Sequence, residues 1–236
     1  MISTVIAAHN GAEFLDIALA SVEAQRFPDS EILFVDDGST EELRVPPFVR
    51  CLRQCRGGPA AARNHGIRQS RGQFIAFLDI DDMWDPGHLQ RLAAALESRP
   101  DAGIAQGLMR QLSGNRISGA YRMPYAGSCL FRREVLEILG GFDETMPLGE
   151  DYDLLFRCWE KDIVKIDVPE VSLIYRRHAA NMTRGKQQES HMIVLKRRLE
   201  RIRSGATDQS QKRRFRFQNY IGDLAGASTW TAWSAS

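Results

Sequence analysis

No apolar run in the 236 residues approaches the roughly 20 needed to span a bilayer. The opening stretch, MISTVIAAHN, has neither the basic n-region nor the apolar length of a secretory signal. Cysteine is sparse. Cys51, Cys55, Cys129 and Cys158 are scattered, and the step from Cys51 to Cys55 matches no common zinc or redox spacing. Reduced, structural thiols in a soluble cytoplasmic chain are therefore expected. Internal repeats and low-complexity linkers are also lacking. What is there is ordinary globular composition, 43% hydrophobic and 26% charged. A chain of this length buries one sizeable core, or a domain plus an appendage, without disulfide staples.

The net charge of +1 conceals a split. Residues 1–183 hold 20 Lys+Arg against 26 Asp+Glu, a net of −6, whereas residues 184–236 hold 11 against 4, a net of +7. The chain is expected to divide there, into a domain over 1–183 and a basic helical extension over 184–236.

In the first hundred residues strand-like and helix-like stretches alternate. STVIAA, EILFVDDGST and QFIAFLDIDD are apolar runs that end in turn formers. Between and after them, GAEFLDIALASVEAQ, GPAAARNHGIRQS and PGHLQRLAAALESRP carry helical spacing or composition. This alternation implies an α/β fold with a mostly parallel sheet flanked by helices. The second half is less regular. REVLEILGGFDE predicts a helix stopped by Gly140 and Gly141, GEDYDLLFRCWEKD a helix opened by acidic residues, and PEVSLIYRRH a strand. His191 to Arg203 reads as a basic, amphipathic helix.

Two strand ends carry clustered carboxylates, Asp36–Asp37 and Asp79, Asp81 and Asp82. In an open parallel sheet, ligands bind at the carboxyl ends of the strands. The two strands can be neighbours, which lets both clusters face one crevice. Like charges this close raise each other's pKa. A hard divalent cation, Mg²⁺ or Mn²⁺, offsets that repulsion and takes oxygen ligands. The other reading is local, since Asp-Asp after a strand also signals a turn and a helix cap.

VIAAHNGAEFLDIALASVEAQ, FVDDGST, GGPAAARNHGI, FIAFLDIDDMWDP, GGFDE and GEDYDLLFR stand in the order and approximate spacing of the family 2 glycosyltransferases of bacterial type. The chain resembles that family over roughly residues 1–180. The resemblance implies the GT-A fold, a nucleotide-binding α/β domain. It also implies inverting transfer of a single sugar from a nucleotide-diphosphate donor, UDP or dTDP, to a sugar or lipid-linked glycan acceptor in cell-surface polysaccharide synthesis. Asp79-Ile80-Asp81 looks like the DxD motif, with Asp81 on the metal and Asp79 on the ribose or the metal. Asp37 matches the position that accepts a hydrogen bond from the base, with Asp36 bracing its loop. Ala8 and His9 would stand beside the nucleotide, although a helix-entry role is the other reading for His9. Arg63 matches a nucleotide-side element shared with Asn64, although a structural ion pair is the other reading for it. Asp151, with Glu150 beside it, looks like the catalytic base, and helix capping is compatible with that role. His178, in YRRHAAN, matches an element that closes over the diphosphate and can ligate the metal, with Arg176 or Arg177 on phosphate. Trp84 lines the acceptor side or covers the core.

The match departs after VDDGSTEE, where Pro46-Pro47 forbids a full helix. QKRRF, Gln211–Phe215, is a near miss to an element of processive synthases and is read as chance. The basic C-terminus packs on the domain, lies peripherally on the anionic inner membrane face, or is simply solvated. Nucleic-acid binding is not expected. A haloacid-dehalogenase-like phosphatase is disfavoured because Met83 stands where that family wants Thr or Val. A non-catalytic sugar-nucleotide binding module is the remaining alternative.

Overall fold

The computed structural model describes residues 1–182, 184–207, 217, 220, 222 and 225–233. The alternation of the first half is realised as β1 (Ile2–Ala8), α1 (Ala12–Glu23), β2 (Ser30–Asp37), β3 (Arg50–Gln54), α2 (Pro59–Gln69), β4 (Phe74–Asp79) and α3 (His88–Ser98), with the short strand β5 (Met83–Trp84) between β4 and α3. β6 (Ala102–Ser113), β7 (Arg116–Ser118), β8 (Cys129–Arg132), α4 (Arg133–Leu139), α5 (Glu150–Glu160), β9 (Val164–Arg176), α6 (Gln187–Arg203) and β10 (Trp230–Ala232) follow.

The central strands are parallel. β1 lies between β2 and β4, and β3 adds to the edge of β2. Every residue of β1 is buried, as a strand covered on both faces requires. One face packs on α1 and α3 through Leu15, Leu19, Leu92 and Leu96. The other packs on α2, α4 and α5 through Ala62, Leu136, Leu154 and Leu155. Phe77 stands edge-on to Phe131 at 5.8 Å and to Phe142 at 5.2 Å, locking the second layer to β4.

The sheet as a whole is mixed rather than mostly parallel. β8 pairs antiparallel with both β4 and β6, β7 with β6, and β10 with β7, while β6 and β9 are parallel. The cause is local. After α3 the regular strand–helix alternation ends, and the two-residue step between β6 and β7 at Gly114-Asn115 forces a hairpin. β3 has no apolar alternation. It reads RCLRQ, the pattern of a half-exposed edge strand, and so carries little strand signal. No helix intervenes between β2 and β3, in keeping with Pro46-Pro47.

α6 packs on α5. Val194 meets Met146 and Phe156, and Arg201 pairs with Asp153 at 2.6 Å and Glu160 at 2.9 Å. Among the described residues no helix is long and apolar enough to cross a membrane. Gln211–Phe215 lies outside the described residues.

Candidate active site

The parallel register sets Ala8 against Asp36 and Ala7 against Asp79, so three strand ends lie level. The two acidic clusters are not on adjacent strands, because β1 separates them. The neighbour arrangement allowed by the sequence is corrected accordingly.

The loop after β1 passes through Asn10 and Gly11 at positive φ. Asn10 Oδ1 accepts the backbone N–H of Thr40 at 2.9 Å, and Glu41 accepts those of Gly11 and Ala12 at 3.0 Å. Glu41 thereby satisfies the first donors of α1, which has no local side-chain cap. His9 Nδ1 lies 2.9 Å from the Asp37 carbonyl. Asp36 accepts the Ser39 N–H at 2.8 Å and braces the loop. The Asp37 carboxylate accepts from Gln54 Nε2, Gly57 N and Gly58 N, each at 2.8 Å. A carboxylate has about four acceptor sites, so one is left for a ligand.

Arg63, on α2, is 3% exposed and sits between two acidic groups. One arm of its guanidinium reaches both oxygens of Asp79, at 2.6 and 2.9 Å. The other meets Glu150 at 2.7 Å and stands 3.8 Å from Asp151. Of the two sequence readings for Arg63, the ion pair is the one the geometry contains. Asn64, next in the chain, donates to the Phe142 carbonyl at 2.9 Å and accepts its N–H at 2.8 Å. That clamp ties GGFDE to ARNHG. Gly141 has φ +76°, and a Cβ there would run into Asn64 Oδ1, so the motif needs glycine.

The three carboxylates after β4 have distinct surroundings. Their ligand atoms lie within 4.8 Å of one another. Asp82 is fully buried. Its Oδ1 accepts the Arg176 N–H at 2.9 Å, and its Oδ2 lies 2.8 Å from the Tyr125 hydroxyl. That same hydroxyl is 2.8 Å from Asp79. The hydroxyl bridges the two carboxyl groups. Burial, followed by Asp81 and Asp79, pushes the Asp82 pKa well up. Burial and Asp79 also raise Asp81, against the lowering effect of His178. His178 Nε2 and Asn181 Nδ2 both approach Asp81 Oδ2, at 2.9 and 3.1 Å.

Asp151 lies in the first turn of α5, where the helix dipole favours an anion. It is buried, and its Oδ1 has no hydrogen-bond partner among the described residues. Burial raises its pKa to about 7; Arg63 opposes that shift, and Glu150 and Asp79 reinforce it.

The structure therefore brings together Arg63, Asp79, Asp81, Glu150, Asp151 and His178, while Ala8, His9 and Asp37 line the far side of β1. The Arg176 guanidinium contacts the Asp81 and Ile80 carbonyls and stacks 4.8 Å from Phe14. Trp84 covers the core, 3% exposed, with Nε1 on the Gly127 carbonyl. The sequence reading overlooked Tyr125, Asn181 and the bracing role of Asp82. Tyr125 carries no local signal, lying 46 positions from Asp79.

The Glycosyl transferase family 2 profile matches residues 3–148, and that of Glycosyltransferase like family 2 matches residues 117–202. An uncharacterized glycosyltransferase of Nostoc sp. is 30% identical over 167 residues, 58% of this chain and 52% of its own. The O-antigen biosynthesis protein RfbC of Myxococcus xanthus is 30% identical over 190 residues, 68% of this chain and 14% of its own. The chain thus spans about half or less of these two relatives. Among solved structures, S. aureus TarS 1-349 in complex with UDP-GlcNAc superposes with a TM-score of 0.71 at 16% identity, over 89% of this chain and 68% of that one. Mannosyltransferase PcManGT from Pyrobaculum calidifontis, in complex with GDP-Man and Mn²⁺, gives 0.67 at 17%, over 84% and 64%. At such identity the likeness is one of fold, that of GT-A glycosyltransferases. With the family profile covering most of its length, the chain belongs to glycosyltransferase family 2.

Proposed function

We propose that this chain moves a single sugar, with inversion, from a nucleotide-diphosphate sugar, UDP- or dTDP-linked, to an acceptor hydroxyl of a cell-surface glycan. Residues 1–183 are the transferase domain in this reading, and residues 184–236 complete it. The observation that carries it is the joining of two carboxylate groups through Arg63: Asp79 at the end of β4, and Glu150 with Asp151 at the start of α5. One group suits the donor diphosphate side, the other the acceptor side. The TarS complex with UDP-GlcNAc and the mannosyltransferase complex with GDP-Man and Mn²⁺ support a nucleotide-sugar donor for this fold.

The donor set fits a hard divalent cation. Two ligands at about 2.1 Å from an octahedral ion and at right angles lie about 3 Å apart. Asp81 Oδ2 and His178 Nε2 are 2.9 Å apart. Asp81, Asp79 and His178 would hold Mg²⁺ or Mn²⁺, and the ion would neutralise charge on the departing diphosphate. Asp82, the fully buried member of the carboxylate cluster, would brace the loop instead.

Asp151 takes the acceptor hydroxyl's proton as the oxygen attacks the anomeric carbon. Its Oδ1 makes no hydrogen bond among the described residues and stands 3.8 Å from Arg63, and a pKa near 7 matches a base working at neutral pH. Glu150 holds Arg63 in place, and Arg63 keeps Asp151 ionisable inside the protein. The test is Asp151→Asn. Donor affinity should stay within about twofold, while acceptor-dependent nucleotide release drops by about 10²-fold or more. Full turnover in that variant would remove Asp151 from the reaction.

A further inference from the structure

α6 is apolar on two faces. Val194, with Ile193 beside it, packs on Met146 and Phe156. Three arginines also face the protein: Arg197 pairs with Asp143 at 3.4 Å, Arg198 with Glu160 at 3.4 Å, and Arg201 with Asp153 and Glu160. Met192, Leu195 and Leu199 face out instead, exposed by 66, 46 and 51%. At positions i, i+3 and i+7 they form one stripe. A soluble surface helix normally presents a polar outer face, and a contiguous apolar stripe rimmed by charge marks a contact surface.

The charge beside the stripe limits what can cover it. Lys196 and Arg203 lie along its flank and are exposed. No ion pair engages either among the described residues. Arg184 and Lys186, just before the helix, are exposed as well. A cover drawn from residues 208–216, which hold Lys212, Arg213, Arg214 and Arg216 against Asp208, would set like charge on like charge. A second copy of the same face would do the same. An apolar surface of negative charge has no such conflict, and a bilayer of anionic lipid is one.

We infer that α6 lies on an anionic membrane surface, with Met192, Leu195 and Leu199 entering the headgroup–acyl boundary and Lys196 and Arg203 on lipid phosphates. The placement also orients the molecule. His191, at the start of the helix, touches the ring of Tyr152 at 5.4 Å, and Tyr152 follows Asp151 in α5. The end of the stripe at Met192 is therefore the end nearest the carboxyl assigned as base, and an acceptor carried in the plane of the membrane would arrive there.

The experiment is co-sedimentation of the full chain with vesicles of phosphatidylcholine alone or with phosphatidylglycerol added, with no donor or acceptor present, so its outcome is separate from the transferase reading. The protein should pellet with the phosphatidylglycerol vesicles and be released when salt is raised to about 0.5 M. Leu195→Glu with Leu199→Glu should abolish pelleting. Lys196→Glu with Arg203→Glu should weaken it about tenfold or more. Both pairs are surface changes, and unchanged circular dichroism and melting should accompany them. Wild-type protein that fails to distinguish the two vesicle types overturns the inference. So does undiminished binding by the charge-reversed pair, or a solution dimer that the leucine pair converts to monomer, which would show a second copy covering the stripe.

Discussion

The guanidinium of Arg63 faces Asp79, Glu150 and Asp151, and among the described residues no other cation pairs with these three carboxylates. Replacing it by Gln leaves these carboxylates facing one another inside the protein. Breaking a buried pair on one side costs about 3–5 kcal/mol, so Arg63→Gln should lower the chemical-denaturation stability by that order. The same change bears on pH dependence. Asp151 has its pKa raised to about 7 by burial, against the pull of Arg63. A base works only when deprotonated, so kcat/KM should be low below that pH, rise through about 7 and level off above it. Without Arg63 the rising limb should move to higher pH, and Arg63→Lys should bring it part of the way back. A rate independent of pH between 5.5 and 8.5, an interval chosen to bracket a pKa of about 7, would mean that Asp151 does not titrate in the reaction. Sequence reading singled out Asp79, Asp81, Asp151 and His178 by the order of their motifs, and the fold brings them to one end of the sheet. It could not reach Tyr125, because its contacts with Asp79 and Asp82 are made only when β4 and the turn before β8 pack together.

At the scale of elements, α5 carries Asp151 and is held on two sides. Asp153, fully buried, accepts Arg157 at 2.7 Å from its own helix and Arg201 at 2.6 Å from α6. Arg201→Ala removes one of these arms and leaves the other, so the expected loss is about 1–3 kcal/mol rather than the full cost of an orphaned charge. If α6 positions α5, the same variant should lower kcat more than it raises the KM for donor, and thermal melting together with steady-state kinetics checks both. A melting point and kcat equal to wild type would separate α6 from the site. Elements with strong period were legible. α1, α2, α3 and α5 fall where helical spacing or composition placed them, and β1, β2 and β4 where apolar runs did. β3 was not, since an edge strand with three polar residues in five gives no alternation to read. β10 was hidden in a tail of small residues, and only pairing with β7 makes it a strand.

For the molecule as a whole, the sheet is parallel over β1, β2, β3 and β4 and mixed from β6 onward. The sequence showed the first part through its strand–helix alternation and only the irregularity of the second. Part of the charge split at residue 184 is a pairing: Arg197, Arg198 and Arg201 of α6 sit on acidic positions of α5 and of the loop before it. The central claim about the whole molecule is that the carboxylates after β4 grip a divalent cation together with a nucleotide diphosphate. Isothermal titration calorimetry with UDP, dTDP and GDP, in Mn²⁺ and again in excess chelator, tests it most directly. The account predicts that at least one nucleotide binds in Mn²⁺, that chelation weakens it by about tenfold or more, and that Asp81→Asn reproduces that loss with the metal present. Equal affinity with and without the metal, or in the Asp81→Asn protein, would contradict it.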